Sequence, residues 1–268
     1  MKIFLTITIL SCILRVNAQN DNTLNGELLA LEFAVWNSSD SREMSSLIMQ
    51  KAEKLTENGQ FSAALNELNR IQDKRSTDSN QLVYMKALNE FLLGDFDNAY
   101  NLLLDIPDSA RNHEIEYQIL WLFTLNELER WSDCRQILLN LSDSMILLKP
   151  DIEALPTRID YTSPIKARRL STFFPGIGQM YAGSSAKGIT SIMLHAAFVF
   201  VLVEGVVTGF YVAGAVYGLM PIFRFYIGGR QNSYTLAKDR NSDMSKVLKD
   251  RYMELILLVG GQGSVNQK

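Results

Sequence analysis

Between Lys187 and Arg224 the chain runs for 36 residues with Glu204 as its only formal charge. As one straight helix this tract would be roughly 54 Å long at about 1.5 Å per residue, against a hydrocarbon core of about 30 Å. A single span is therefore too long, and two closely connected spans fit. The pattern predicts a first span over 186–203 and a second over 206–227, with Glu204 and Gly205 at the turn. Lys187 can snorkel at one end, and Arg224 and Tyr226 mark the other. Gly205, Gly209 and Ala213 lie four apart, as do Gly214 and Gly218, so small-residue stripes would let a neighbouring helix approach closely. That neighbour is either the first span or a second copy of the chain, which leaves a homo-oligomer open. His195 falls near the middle of the first span, where an ionisable residue is a functional candidate. The bland alternative for His195 is a neutral imidazole bonded to nearby backbone.

Just before this tract stands FFPGIGQMYAG, residues 173–183. Pro175 interrupts a helix, Gly176, Gly178 and Gly183 permit close approaches, and Gln179 and Tyr181 can bond backbone groups left free at a membrane surface. The segment reads as an interfacial or re-entrant elbow. It lacks the Lys-Ser/Thr ending of a phosphate-binding loop and follows no predicted strand. The run resembles the P-G-x-G-Q-x-Y-x-G motif of bacterial two-span membrane domains of the TM-two style, which in Bacteroidetes-type bacteria follow tetratricopeptide repeats. The resemblance covers about 168–241 and implies an architecture rather than an activity.

Upstream the chain repeats itself. Ala52, Gly59, Phe61, Ala64 and Leu68 recur 35 residues on as Ala87, Gly94, Phe96, Ala99 and Leu103, and the same step reaches Trp131, Cys134 and Leu138. Small residues let paired helices approach, the glycine turns the chain, and the aromatic plugs the seam. Such a unit resembles the tetratricopeptide repeat over about 44–141, three helix pairs that bury an apolar face only by stacking. The third copy departs, with Leu122 at the first small position and Glu129 at the glycine, so it is expected to be looser or to act as a cap. Leu24, Leu28, Leu31 and Val35 put a further helix in front.

Charge separates the halves. Residues 20–165 carry 24 acidic against 12 basic side chains, and residues 166–268 carry 5 against 12. A basic, apolar half suits a lipid bilayer with anionic head groups, and neither half has the aromatic-laced basic patch of a nucleic-acid binder. Lys2, the apolar run 3–14 and Val16-Asn17-Ala18 read as a secretory signal over 1–18, with an uncleaved anchor as the alternative and lipidation of Cys12 disfavoured by the bulky Leu10. With Cys12 removed, Cys134 stands alone, which excludes an intrachain disulfide framework or a cysteine zinc cluster. No cofactor, metal or catalytic constellation is read.

The expected fold is all-α. A repeat domain over 19–148 leads through a proline-marked linker, 149–167, to the elbow and two-span hairpin over 168–230. A break at Asn241-Ser242-Asp243, an amphipathic helix stopped at Gly260-Gly261 and a disordered tail complete 231–268. That helix either lies on the membrane or docks on the repeats. A cleaved signal would export the acidic repeats, whereas the basic flanks of the hairpin favour the cytoplasm. The signal acts first, so the repeats are expected outside the inner membrane. The function expected is a membrane-anchored scaffold whose repeats bind a protein partner, with a small-solute or proton pathway through oligomerised hairpins as the alternative.

Overall fold

The computed structural model describes residues 21–71, 79–113, 115–141 and 148–263, and among them every regular element is helical. The proposed signal segment, Cys12 and the last five residues lie outside the described residues. The described chain forms two compact units, one ending at Thr157 and resuming at Arg251, the other spanning Arg158–Asp250.

The first unit begins with α1 (Asp21–Asn37), α2 (Ser41–Glu57), α3 (Phe61–Leu68), α4 (Ser79–Leu93) and α5 (Phe96–Leu104). It continues through α6 (Asp108–His113), α7 (Ile115–Glu127), α8 (Trp131–Leu141) and α9 (Lys149–Ala154). Helices α2/α3, α4/α5 and α7/α8 pair as neighbours. The 35-residue step is visible in the backbone. Gly59, Gly94 and Glu129 all have positive φ, at 75°, 84° and 58°. After each, an amide reaches back into the preceding helix, Gln60 to the Leu55 carbonyl (2.9 Å), Asp95 to Glu90 (3.0 Å) and Arg130 to Leu125 (2.9 Å). This is a left-handed helix stop, and it satisfies carbonyls that the helix end leaves open. Glu129 takes that conformation despite its Cβ. The three pairs also share a core, with Ala64, Ala99 and Cys134 and then Leu68, Leu103 and Leu138 all fully buried.

The third pair does not stand open. Residues 252–259, inside the long helix described below, bury Tyr252, Leu255, Ile256 and Val259. The Tyr252 hydroxyl lies 3.1 Å from the Pro156 carbonyl and 3.3 Å from that of Trp131. Gly260 lies against the Ile119 side chain. Of the two placements open for the C-terminal amphipathic stretch, it takes the one on the repeat side. Burial raises both the Cys134 thiol and the Tyr252 hydroxyl, each to about 12. The expected linker also shrinks. Pro150 starts α9 in the first-turn position that tolerates proline, Ile152 is buried, and Arg135 donates to the Glu153 carbonyl at 2.9 Å.

At the other end, α1 buries Val35 and presents Glu32 to two cations. Glu32 meets Lys51 at 2.6 Å and Arg70 at 3.0 Å, and Glu67 meets the same pair at 2.7 and 2.6 Å. The Arg70 hydrogen bond, followed by that of Lys51, holds the Glu32 carboxyl down to about 2.

The second unit contains α10 (Pro164–Phe173), α11 (Ile177–Tyr181) and α12 (Ser185–Val207). A short α13 (Tyr211–Gly214) then passes through a π-helical turn (Ala215–Leu219) into α14 (Met220–Gly263), whose last residues belong to the first unit. Two helical runs, Ser185–Val207 and the one starting at Tyr211, are long and apolar enough to cross a membrane, and only 11% of each apolar window is buried. The core helix of a water-soluble domain would bury most of it.

Three expected breaks are not where the sequence placed them. The turn between the apolar helices falls at Thr208–Phe210, not at Glu204 and Gly205, because α12 continues past the charge to Val207 and the chain turns at Gly209, whose φ is +79°. Helix α14 also runs through Asn241-Ser242-Asp243 and through Gly260-Gly261. The Asn241 amide is engaged elsewhere, accepting from the Thr162 amide (2.9 Å) and donating to the Thr162 carbonyl (2.8 Å). Its side chain therefore does not compete with its own helix backbone.

Candidate functional site

The elbow motif is a crossing of three backbones. Ser163 caps α10, accepting from the Lys166 amide at 3.3 Å, and Pro164 fills the first helical position. Ala167 and Ser171, one turn apart, form the buried face of α10. Phe174 is extended ahead of Pro175, as the residue before a proline tends to be, and the helix stops there. Gly176 then takes φ +93°, and a Cβ on it would overlap the Gly188 carbonyl of α12. A Cβ on Gly178 would overlap the Ala167 carbonyl and the Ser171 hydroxyl. The two glycines are thus fixed by contact with the helices on either side.

The other motif residues fill out the crossing. Gln179 is buried, and its amide nitrogen and the Ser191 hydroxyl both lie against Gly229. The Tyr181 ring carries the Lys166 ammonium at 5.1 Å and packs on a small core of Ala167, Ala182 and Ala237. Gly183, at φ +90°, lies against Arg240. The free carbonyl near the end of α10 is met by a residue the motif reading did not single out, since Tyr226 donates its hydroxyl to the Thr172 carbonyl at 2.9 Å.

Beyond the elbow the two apolar helices touch in antiparallel register. Gly205 contacts Gly214, Gly218 packs on Leu202, and the rings of Phe198 and Phe225 stack at 5.3 Å. Three of the five predicted packing residues are therefore at the contact. Gly209 is the turn residue, with open space around it, and Ala213 is exposed. Gly188 was missed, and pairing it with Gly176 as a second small residue across the elbow could have found it.

His195 lies on this contact face, about nine-tenths buried. Its Nδ1 is 2.7 Å from the Ser191 carbonyl. A carbonyl only accepts, so Nδ1 carries a proton, and Nε2 is buried without a partner. Ser171 Oγ and Arg230 Nε are likewise buried and unpartnered. The serine and histidine are hence not bonded to each other, and the arrangement lacks the hydrogen bond that activates a nucleophile. Glu204 is exposed on the last turn of α12, far along the helix from His195. Among the described residues no group of three or more His, Cys, Asp or Glu is placed to hold a metal ion.

The arrangement is suited to packing and positioning at one end of a pair of apolar helices, with cations and aromatic rings side by side. No family model, no curated protein and no solved structure matches the chain.

Proposed function

We propose that the chain is a membrane-anchored interaction scaffold of the bacterial cell envelope. In this reading the first unit is a short tetratricopeptide-like solenoid that binds a protein partner, and α12 to α14 form a two-span hairpin holding it at the inner membrane. The observation that carries it is the recurrence, 35 residues apart, of one turn conformation and one set of buried positions in a chain that also carries two lipid-ready helices. The packing of Tyr252 near Trp131 and Pro156 adds a constraint of parity. The chain before and after the apolar helices must share a compartment, which an even number of crossings satisfies. The signal-like N-terminus favours the periplasmic side.

A solute or proton pathway finds its motive in the unpartnered Nε2 of His195. Within one hairpin that path is closed above His195 by Phe198 on Phe225, Leu202 on Gly218 and Gly205 on Gly214. The scaffold reading is the better supported one. Its test is photo-crosslinking in cells from Val83 on α4 and Gln118 on α7, equivalent half-buried positions one repeat apart. A reproducible adduct of one protein from both positions, and none from Lys238, is expected. Adducts to the chain itself alone, or none, would overturn the scaffold, and release of the chain from membranes by alkaline carbonate would overturn the anchor.

A further inference from the structure

From Pro164 to Arg230 the chain carries six cations, Lys166, Arg168, Arg169, Lys187, Arg224 and Arg230, and one carboxylate, Glu204. Glu204 stands 17 residues past Lys187 on the same helix, about 26 Å away at ~1.5 Å per residue. It neutralises none of them at the elbow. None of the six forms an ion pair among the described residues. Lys166 and Arg230 lie over tyrosine rings instead, and the Arg230 Nε is buried without a partner. A positive cluster left unpaired by its own fold is open to an anion from outside.

The same surface is apolar. Ile165, Phe173, Ile177 and Met180 on the elbow helices α10 and α11, and Phe174 between them, are all exposed. Arg168 and Arg169 are exposed on α10, between Ile165 and Phe173 along the chain. Water is a poor environment for this surface, and a free inorganic anion would satisfy the arginines while leaving two phenylalanines wet. An anionic phospholipid offers both halves, a phosphate for the cations and acyl chain for the rings.

We infer that the elbow is a seat for anionic phospholipid head groups, with Arg168 and Arg169 binding the phosphate and Phe173 and Phe174 inserted beside it. The inference rests on the membrane reading above. It gives the P-G-x-G-Q-x-Y-x-G segment a task, which is to fold α10 back so that its charged and apolar side chains meet the bilayer at one depth.

The test uses the full chain, purified in mild nonionic detergent and delipidated, with retained lipid read by native mass spectrometry. Dioleoyl-phosphatidylglycerol is expected to be retained at least tenfold more tightly than dioleoyl-phosphatidylcholine. Arg168→Gln with Arg169→Gln should lower retention of the glycerol lipid about 30-fold, since each basic residue near such a surface contributes on the order of a fivefold gain. The paired Arg→Lys variant should recover most of it, which separates lost charge from lost folding. Lys238→Gln with Lys246→Gln, removing the same charge outside the elbow, should match the unaltered chain. Equal retention of the two lipids, or a double Gln variant indistinguishable from the unaltered chain, would overturn the inference. Full displacement by millimolar inorganic phosphate would also overturn it, by showing an adventitious ion only. A chain that resists alkaline carbonate yet shows no lipid preference loses this inference and keeps the anchor.

Discussion

The repeat turns and the contact between the apolar helices use glycine for opposite reasons. In the repeat unit Gly59 and Gly94 stand in open space and are required only because φ is positive there. In the second unit Gly205, Gly214 and Gly218 have ordinary helical backbones, and a Cβ on any of them would press into the facing helix. On the membrane reading proposed above, the difference follows from the solvent. A repeat in water is held by burying Leu and Ala faces, so at Gly59 and Gly94 glycine serves to turn the chain. Helices in lipid gain nothing from hiding apolar surface from more apolar surface, so they associate by approaching closely enough for dispersion contacts. The exposed side chains agree. On α12 they are Ile189, Ile192, Met193, Val199 and Phe200, whereas α2 shows Arg42, Glu43, Glu53 and Glu57 to solvent.

The largest effect that can break this comparison is Gly205→Leu. The leucine would have to occupy the space of the Gly214 backbone, so α12 and α13 must separate. Overpacking of this kind costs about 1–3 kcal/mol even where side chains can yield, and here the neighbour is backbone. We expect loss of the thermal transition assigned to the second unit in detergent, with the transition of the repeats retained. Gly178→Ala should weaken the unit by a smaller amount. Gly228→Ala, where nothing lies within reach of the new methyl, should be neutral or stabilise by up to about 1 kcal/mol from helix propensity. If all three variants melt alike, close approach is not what holds the helices.

A smaller effect sharpens the other side. Glu129 holds φ 58° at the position where the two preceding repeats have glycine. A left-handed residue with a Cβ carries a cost of roughly 1–2 kcal/mol, partly offset because glycine is freer when unfolded. Glu129→Gly should therefore stabilise the repeat unit by about 0.5–1 kcal/mol, and Gly94→Ala should destabilise it by a similar amount, both read by urea unfolding of the full chain. A Glu129→Gly variant that unfolds more easily would show that the third turn is held by its side chain and not despite it.

Much of this contrast was legible in the sequence, and the exceptions have physical causes. The 35-residue step identified the turn positions because a helix stop needs one special φ, and glycine advertises it. Glu129 gave no such signal, since φ is a property of the backbone that a charged residue can adopt under tertiary constraint. The elbow glycines were legible as close approaches, but their partners, Ala167 and Gly188, are ordinary small residues whose role appears only when the helices cross. The turn was misplaced to Glu204 because charge suggests a membrane boundary, whereas the helix ended at the next glycine able to take positive φ. Asn241 looked like a breaker and is bonded across 79 residues to Thr162, a distance no local rule can see. Tyr252, which ties the C-terminal helix to the repeats, was lost among leucines in an amphipathic pattern.

The smallest effect concerns how α1 is held. Arg70 and Lys51 stabilise the ionised Glu32, whose folded pKa near 2 lies below the ordinary carboxylate value of 4.5. A depressed acid favours the fold wherever it is ionised in both states. This contribution is complete above about pH 5 and is lost as pH falls from there toward 2, because the unfolded chain takes up the proton first. The side chain is about one-third exposed, so solvent screening keeps the effect to roughly 1 kcal/mol or less. Trp36, also on α1, donates its indole N–H to Glu32 at 3.1 Å and reports the region by fluorescence. Glu32→Gln should lower stability at pH 7 by about that amount and flatten the part of the acid limb between pH 5 and 3. An acid limb unchanged by the substitution would place the pH sensitivity of the repeats elsewhere and leave α1 held by its apolar face and the Glu27–Lys54 pair.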